Sequence, residues 1–159
     1  MNIFVSDLSP YQSAVNLDDK RVIKMTLESA QLLCTVLGAG YRPTHQNHPC
    51  TCWAASSPSN LFWLYCHFLA LSNEYTYRFN KKHASTFVIS AIDAHLRTME
   101  PVPSPSTFIV CPGNLSVADP TSHYKNILYR KWISDKRRPQ WTMRQPPPWL
   151  YGPEPRIEQ

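Results

Sequence analysis

Between Ser57-Pro58 and Phe79-Asn80 the chain carries Leu61, Leu64, Tyr65, Phe68, Leu69, Leu71 and Tyr75 at helical spacing. So wide an apolar face is stable only when other elements surround it, so this one segment commits the chain to a packed helical core. Further helices are expected around it. Ser9-Pro10 is a start signal, a capping hydroxyl followed by a proline in the first turn, and predicts a short helix through Val15. A longer one begins at Asp18 or Asp19 and runs to Leu37, where Gly38 and Gly40 stop it. Residues 50–55, 84–98 and 120–134 complete the set, with Phe87, Ile89, Ile92 and Leu96 as the apolar positions of the second. Residues 2–6 alternate weakly and predict a short strand or extended arm. Residues 100–120 and the tail from Asp135 are rich in proline without a helical period, so both are expected to be irregular. No internal repeat is present. The expected fold is mainly α: one compact helical-bundle domain over 1–150, with a short extended N-terminal segment, a Pro-rich C-terminal part and a flexible tail at 151–159.

Bulk properties narrow the function. A chain of 159 residues is long enough for a proper core. No apolar run reaches the ~18 residues that a membrane span needs. The first residues lack the basic region of a signal peptide, which points to the cytoplasm. The net charge of +5 and the pI of about 9.0 suit a polyanionic partner. The five cysteines, Cys34, Cys50, Cys52, Cys66 and Cys111, have no disulfide-framework spacing and are expected as thiols. His45, His48, Cys50 and Cys52, with Cys66 and His67, resemble zinc ligands in type. Their spacing is not that of a standard CxxC pair, so neither a metal nor a cofactor is expected.

Two sets of polar residues carry the functional expectations. Arg21, Lys24, Glu28 and Gln31 recur at i+3 and i+4, forming one polar stripe on an otherwise apolar helix. Such a stripe is either a solvated face with local ion pairs or the wall of a site. The loop at 41–49 adds His45, Asn47 and His48, which hold loops or read base edges by hydrogen bonding. Glu74 and Arg78 are an i,i+4 pair, read as an ordinary helical ion pair or as a buried pair lining the cleft of Asp18 and Arg21. The second set is basic: Lys125, Arg130, Lys131, Arg137 and Arg138, with Tyr124, Tyr129, Trp132 and Trp141 interleaved. Phosphate neutralisation combined with aromatic stacking is the recipe for nucleic-acid binding, so these five cations are the expected DNA contacts.

Several motifs carry a resemblance: Ser13-Ala14-x-x-Leu17-Asp18-x-Lys20-Arg21, Glu28-x-x-Gln31, Asn47-His48-Pro49, Trp53, Leu61, Tyr65, Glu74 and Arg78. Together they resemble the pyrimidine-dimer DNA glycosylase (endonuclease V-like) superfamily. Residues 1–5, Asp19-Lys20, Val22-x-Lys24-Met25, 44–50 and 74–78 are also similar to short bacteriophage proteins, which would place the chain in a host cytoplasm. The likeness covers about residues 1–80, with Tyr124, Tyr129, Lys131 and Trp149 matching loosely. The resemblance implies a small helical bundle and base excision from DNA. In the founding enzyme an N-terminal amine attacks the sugar C1′ and a glutamate assists. Asp18, three residues before Arg21-Val22, matches that glutamate by position. The bulky Asn2 favours retention of Met1 and hence a hydrolytic route, with Asp18 activating water and Asp19 as the second candidate. Arg21, Lys24, His45, Asn47, His48, Glu74 and Arg78 would bind phosphate or base, and Glu28 and Gln31 would complete the pocket. The resulting expectation is a glycosylase acting on damaged or modified pyrimidines. The alternatives are a transferase that modifies a hypermodified pyrimidine and a non-catalytic binder of DNA or a free nucleotide, such as an anti-defence effector.

Overall fold

The computed structural model describes residues 1–99, 108–110, 115–116 and 119–151. The chain forms α1 (Pro10–Asn16), α2 (Asp19–Leu37), α3 (Pro49–Ala55), α4 (Pro58–Phe79), a 3-10 turn at Ala84–Val88, α5 (Ile89–Leu96) and α6 (Pro120–Ser134). A second 3-10 turn covers Pro148–Leu150. The fold is mainly helical, as the apolar periodicity requires.

Local chemistry sets the helix ends. α1, α3, α4 and α6 all open on a proline, whose missing N–H costs nothing in the first turn. The Ser9 and Ser57 hydroxyls accept from Gln12 N and Asn60 N, and the His48 ring accepts from Cys50 N. α2 stops at Gly38 and α4 at Asn80, both in the left-handed region at φ 66° and 52°.

α4 is the hub and packs against α1, α2 and α3. Its Leu61, Leu64, Tyr65, Phe68 and Leu71 are buried together with Leu17, Val22, Met25, Leu32 and Leu33 from the α1–α2 region. Val88 and Ile92 close one end and Phe108, Tyr124, Leu128 and Trp132 close another.

The structure departs from two sequence expectations and narrows a third. Residues 2–6, expected as a short strand or extended arm, form no strand. They run through the core as irregular chain with Ile3, Phe4 and Val5 buried, and Phe4 sits at φ 43°. The turn is held by the Asn2 side chain, whose Oδ1 accepts from Ile3 N and Phe4 N at 2.8 and 3.0 Å. The helix expected at 84–98 divides into the 3-10 turn and α5. The loop expected at 100–120 contains a short antiparallel ladder of β1 (Ile109–Val110) and β2 (Leu115–Ser116), in which Ile109 faces Ser116 and Val110 faces Leu115. Residues 100–107, 111–114 (Cys111 among them) and 117–118 and the expected flexible tail beyond 151 lie outside the described residues.

Candidate functional site

The polar stripe of α2 belongs to two separate environments. Asp18 and Glu28 are ten residues apart, about 15 Å along a helix at 1.5 Å per residue.

At the start of α2 the carboxylates are occupied by protein partners. Asp18 is 1% exposed. Its Oδ1 accepts from Arg21 at 2.9 Å and from the Trp132 indole N–H at 2.7 Å. Arg21 also reaches Asp135 at 3.0 Å, and Lys20 pairs with the same carboxylate. Burial pushes Asp135 up, but the bonds from Lys20 and Arg21 outweigh it and leave this carboxyl below its usual range. Asp19 takes Arg78 at 3.1 Å and the main-chain N–H and hydroxyl of Thr142. Glu74 is buried, and its two oxygens receive Arg78 and a forked Arg144. Arg78 also donates to the Leu17 and Val15 carbonyls, closing the end of α1.

These groups therefore tie residues 132–144 onto the α1–α2 junction. Glu74 and Arg78 form a buried pair, and Asp18, Asp19, Arg21, Glu74 and Arg78 are all held by protein partners. The aromatic residues interleaved with the basic cluster are likewise packed inward. Trp132 is buried between Trp141 and Trp149, with ring centroids 5.1 and 5.2 Å away.

The middle of α2 is different. Glu28 Oε2 accepts the Asn2 main-chain N–H at 3.0 Å, and its Oε1 lies 3.5 Å from Lys24 Nζ. The Lys24 side chain is 65% exposed. The buried course of residues 3–5 brings the amino-terminal residues onto this carboxylate. His48 reaches the same place from α3. Its Nδ1 accepts from Cys50 N, so the proton of the neutral ring sits on Nε2 and is donated to the Met1 carbonyl. Burial lowers the His48 pKa, and the positive charge of the amino terminus and His45 lower it further, against the opposing pull of Glu28. His48 is thus neutral at pH 7. His45 is exposed, in the left-handed region at φ 52°, and its ring stands 6.5 Å from that of His48. Asn47 is exposed in the same loop and Gln31 is half-buried one turn beyond Glu28.

Lys24, Glu28 and His48 are therefore brought together, with His45 beside them, whereas Asp18 and Arg21 belong to the other end. The sequence reading missed the role of Met1 and Asn2 as the wall of this site. No periodicity joins residue 2 to residue 28; the one signal was the amine chemistry that the resemblance implies. Of the expected DNA contacts, Arg130, Lys131, Arg137 and Arg138 are exposed and Lys125 is half-buried. Lys125, Arg130 and Lys131 point to different sides of α6 at 100° per residue. Arg137 and Arg138 instead share a cleft with Asp18, Lys20, Asp135, Pro139 and Gln140. Among the described residues no group of His, Cys, Asp and Glu is arranged to hold a metal ion, and no helix is long and apolar enough to cross a membrane.

Fold and site together define a small helical protein that gathers a carboxylate, a neutral imidazole and a cation around its first two residues. Residues 1–86 match the pyrimidine dimer DNA glycosylase family, and the chain belongs to that family. No curated protein and no solved structure matches it.

Proposed function

We propose that this protein is a DNA glycosylase that excises damaged or modified pyrimidines, and that Glu28 is its reactive carboxylate in place of Asp18. One observation carries the assignment: within the family-matched segment, Glu28 sits at the amino-terminal residues beside an exposed lysine and a neutral histidine. Asp18, 1% exposed against 9% for Glu28, lies under an arginine and a tryptophan.

The target base leaves the stack before reaction, because its C1′ is inaccessible within the duplex. Glu28 then takes a proton from water as the water oxygen bonds to C1′. The C1′–N bond breaks, and the base departs with the bonding electrons and acquires a proton. Lys24 stands where it meets a backbone phosphate and balances the charge of Glu28 in the free protein. An amine at residue 1 offers a covalent alternative at the same place: its nitrogen bonds to C1′ as the base departs with the bonding electrons and a proton, and the C1′–O4′ bond then breaks, O4′ taking a proton with the assistance of Glu28, to give an imine. Borohydride reduction separates the two, since only the imine is trapped as a stable protein–DNA adduct. Arg137 and Arg138 extend the phosphate contacts beyond the family-matched segment.

The test is incubation with ultraviolet-irradiated DNA and with DNA carrying modified pyrimidines, followed by mass spectrometry of released bases. Release by the wild-type protein and its loss in Glu28→Gln, with DNA binding retained, is the expected result. Intact DNA after incubation with either protein overturns the proposal.

A further inference from the structure

One side chain on the polar face of α2 is left unused by the fold. At 100° per residue, Lys24, Gln31 and Thr35 all lie within about 60° of Glu28 around the helix. Lys24 pairs with Glu28, and Glu28 accepts the Asn2 N–H. Two turns on, the Thr35 hydroxyl accepts from Thr44 N at 3.1 Å and donates to the Gln31 carbonyl at 2.7 Å. The loop that carries His45, Asn47 and His48 is thereby pinned to the same face. Gln31 stands between these two fixtures, about 4.5 Å along the axis from Glu28. Its side chain is half-buried, and its amide has no hydrogen-bond partner among the described residues. Lys24, Glu28 and Thr35 are committed to protein partners, whereas the Gln31 amide, beside the candidate carboxylate, keeps its hydrogen-bonding capacity for another molecule.

We infer that Gln31 is the specificity-determining residue of this site and reads the base-pairing edge of the pyrimidine whose C1′ lies at Glu28. This inference rests on the reading of the Glu28 cluster as the glycosylase site. A primary amide presents one acceptor oxygen and two N–H donors. The pairing edge of thymine presents N3–H flanked by carbonyl oxygens. Oε1 accepts from N3–H while Nε2 donates to a flanking oxygen, two parallel bonds of the kind by which glutamine reads adenine. Turned over, the same amide pairs with N3 and the 4-amino group of cytosine. Side chains one turn apart have Cβ atoms about 5–6 Å from each other. A six-membered ring spans that interval, with C1′ toward Glu28 and the N3 edge toward Gln31. The edge becomes available once the pyrimidine has lost its partner in the opposite strand. Such reading defines a substrate class. Pyrimidines altered at C5 and C6, as in ultraviolet dimers, keep the edge and are accepted. Pyrimidines substituted at N3 leave the amide unpaired and are rejected.

The experiment compares wild type with Gln31→Leu on duplex DNA holding one thymine dimer, with N3 of both bases either free or methylated. Affinity and single-turnover base release are both measured. Methylation also weakens pairing with the opposite strand, but equally for both proteins. The preference for the free over the methylated dimer, compared between the two proteins, therefore isolates the Gln31 contact. Leucine is close to glutamine in size and helix propensity. A melting temperature equal to that of wild type confirms the fold, and Gln31→Met serves the same comparison if Gln31→Leu melts lower. The preference of wild type is expected to exceed that of the variant at least tenfold. Base release by wild type with equal preferences in the two proteins sinks the role of Gln31 alone. Binding without base release sinks the glycosylase reading. The same comparison taken from the affinities then decides Gln31: a preference lost in the variant upholds it as the reader of the edge, and equal preferences overturn it. No binding to either DNA overturns both.

Discussion

Replacing Asp18 with alanine separates the two roles that a carboxylate at this position can have. In the folded protein its Oδ1 accepts from the Arg21 guanidinium and the Trp132 indole, both buried. Truncation leaves the indole N–H without an acceptor, which costs about 1–3 kcal/mol. Removing one partner of a buried ion pair costs about 3–5 kcal/mol when the remaining charge is uncompensated. Here Asp135 still holds Arg21 at 3.0 Å, so the second cost falls below that range. The combined loss is about 3–5 kcal/mol, a large part of the ~5–15 kcal/mol that stabilises a typical domain. At ~2–4 °C per kcal/mol for a chain of this size, the melting temperature should drop by roughly 6–20 °C. Calorimetry or circular dichroism melting reads this directly. Base release at a temperature where the variant is still folded should remain within a few-fold of wild type. A variant that melts within 2 °C of wild type yet releases no base would refute the reasoning and return Asp18 to the reaction centre.

Three other outcomes follow from the same geometry. Arg144→Ala leaves the buried Glu74 with Arg78 alone and should cost about 2–4 kcal/mol in urea unfolding. His67 is fully buried against the Pro10 carbonyl and Trp63, and burial pushes its pKa down to about 4 from 6.5. Between those two values the unfolded chain binds a proton that the folded one does not, so stability should fall by up to about 3 kcal/mol as pH is lowered through that window. Urea midpoints measured from pH 7 to pH 4 check this, and His67→Gln should flatten the trend. Arg137→Ala with Arg138→Ala should weaken binding to all duplex sequences alike and reduce the salt slope by about two units. An unchanged slope makes these two arginines a solubility feature.

The helices were legible because their signals are local. Ser9-Pro10 and Ser57-Pro58 start helices, Gly38 and Asn80 end them, and the apolar face of α4 repeats within one turn. The contacts that fasten the C-terminal part were not, because they join residues far apart in sequence. Trp132 reaches Asp18 across 114 residues and Arg144 reaches Glu74 across 70. The proline-rich composition of the last part correctly indicates mainly irregular chain over the described residues 135–151. Irregular chain is nonetheless firmly packed here, with Trp141 and Trp149 against Trp132. The same blindness to distance governed the site. The Lys24–Glu28 pair is written into helical spacing, whereas the placement of Asn2 on Glu28 depends on the path of residues 3–5 through the core. Position relative to an Arg-Val pair selected Asp18, whereas the proposed role of Glu28 starts from its place at the amino-terminal residues.

The central claim is that Glu28 carries the chemistry. Its most direct test is the single-turnover rate of base release from ultraviolet-irradiated duplex DNA by Glu28→Gln relative to wild type. Glutamine keeps an oxygen that can accept the Asn2 N–H and removes only the negative charge and basicity, so fold and DNA affinity should persist. The rate should fall by about 10²–10⁴, the usual contribution of a positioned general base. A Glu28→Gln protein that releases base at the wild-type rate would contradict the account.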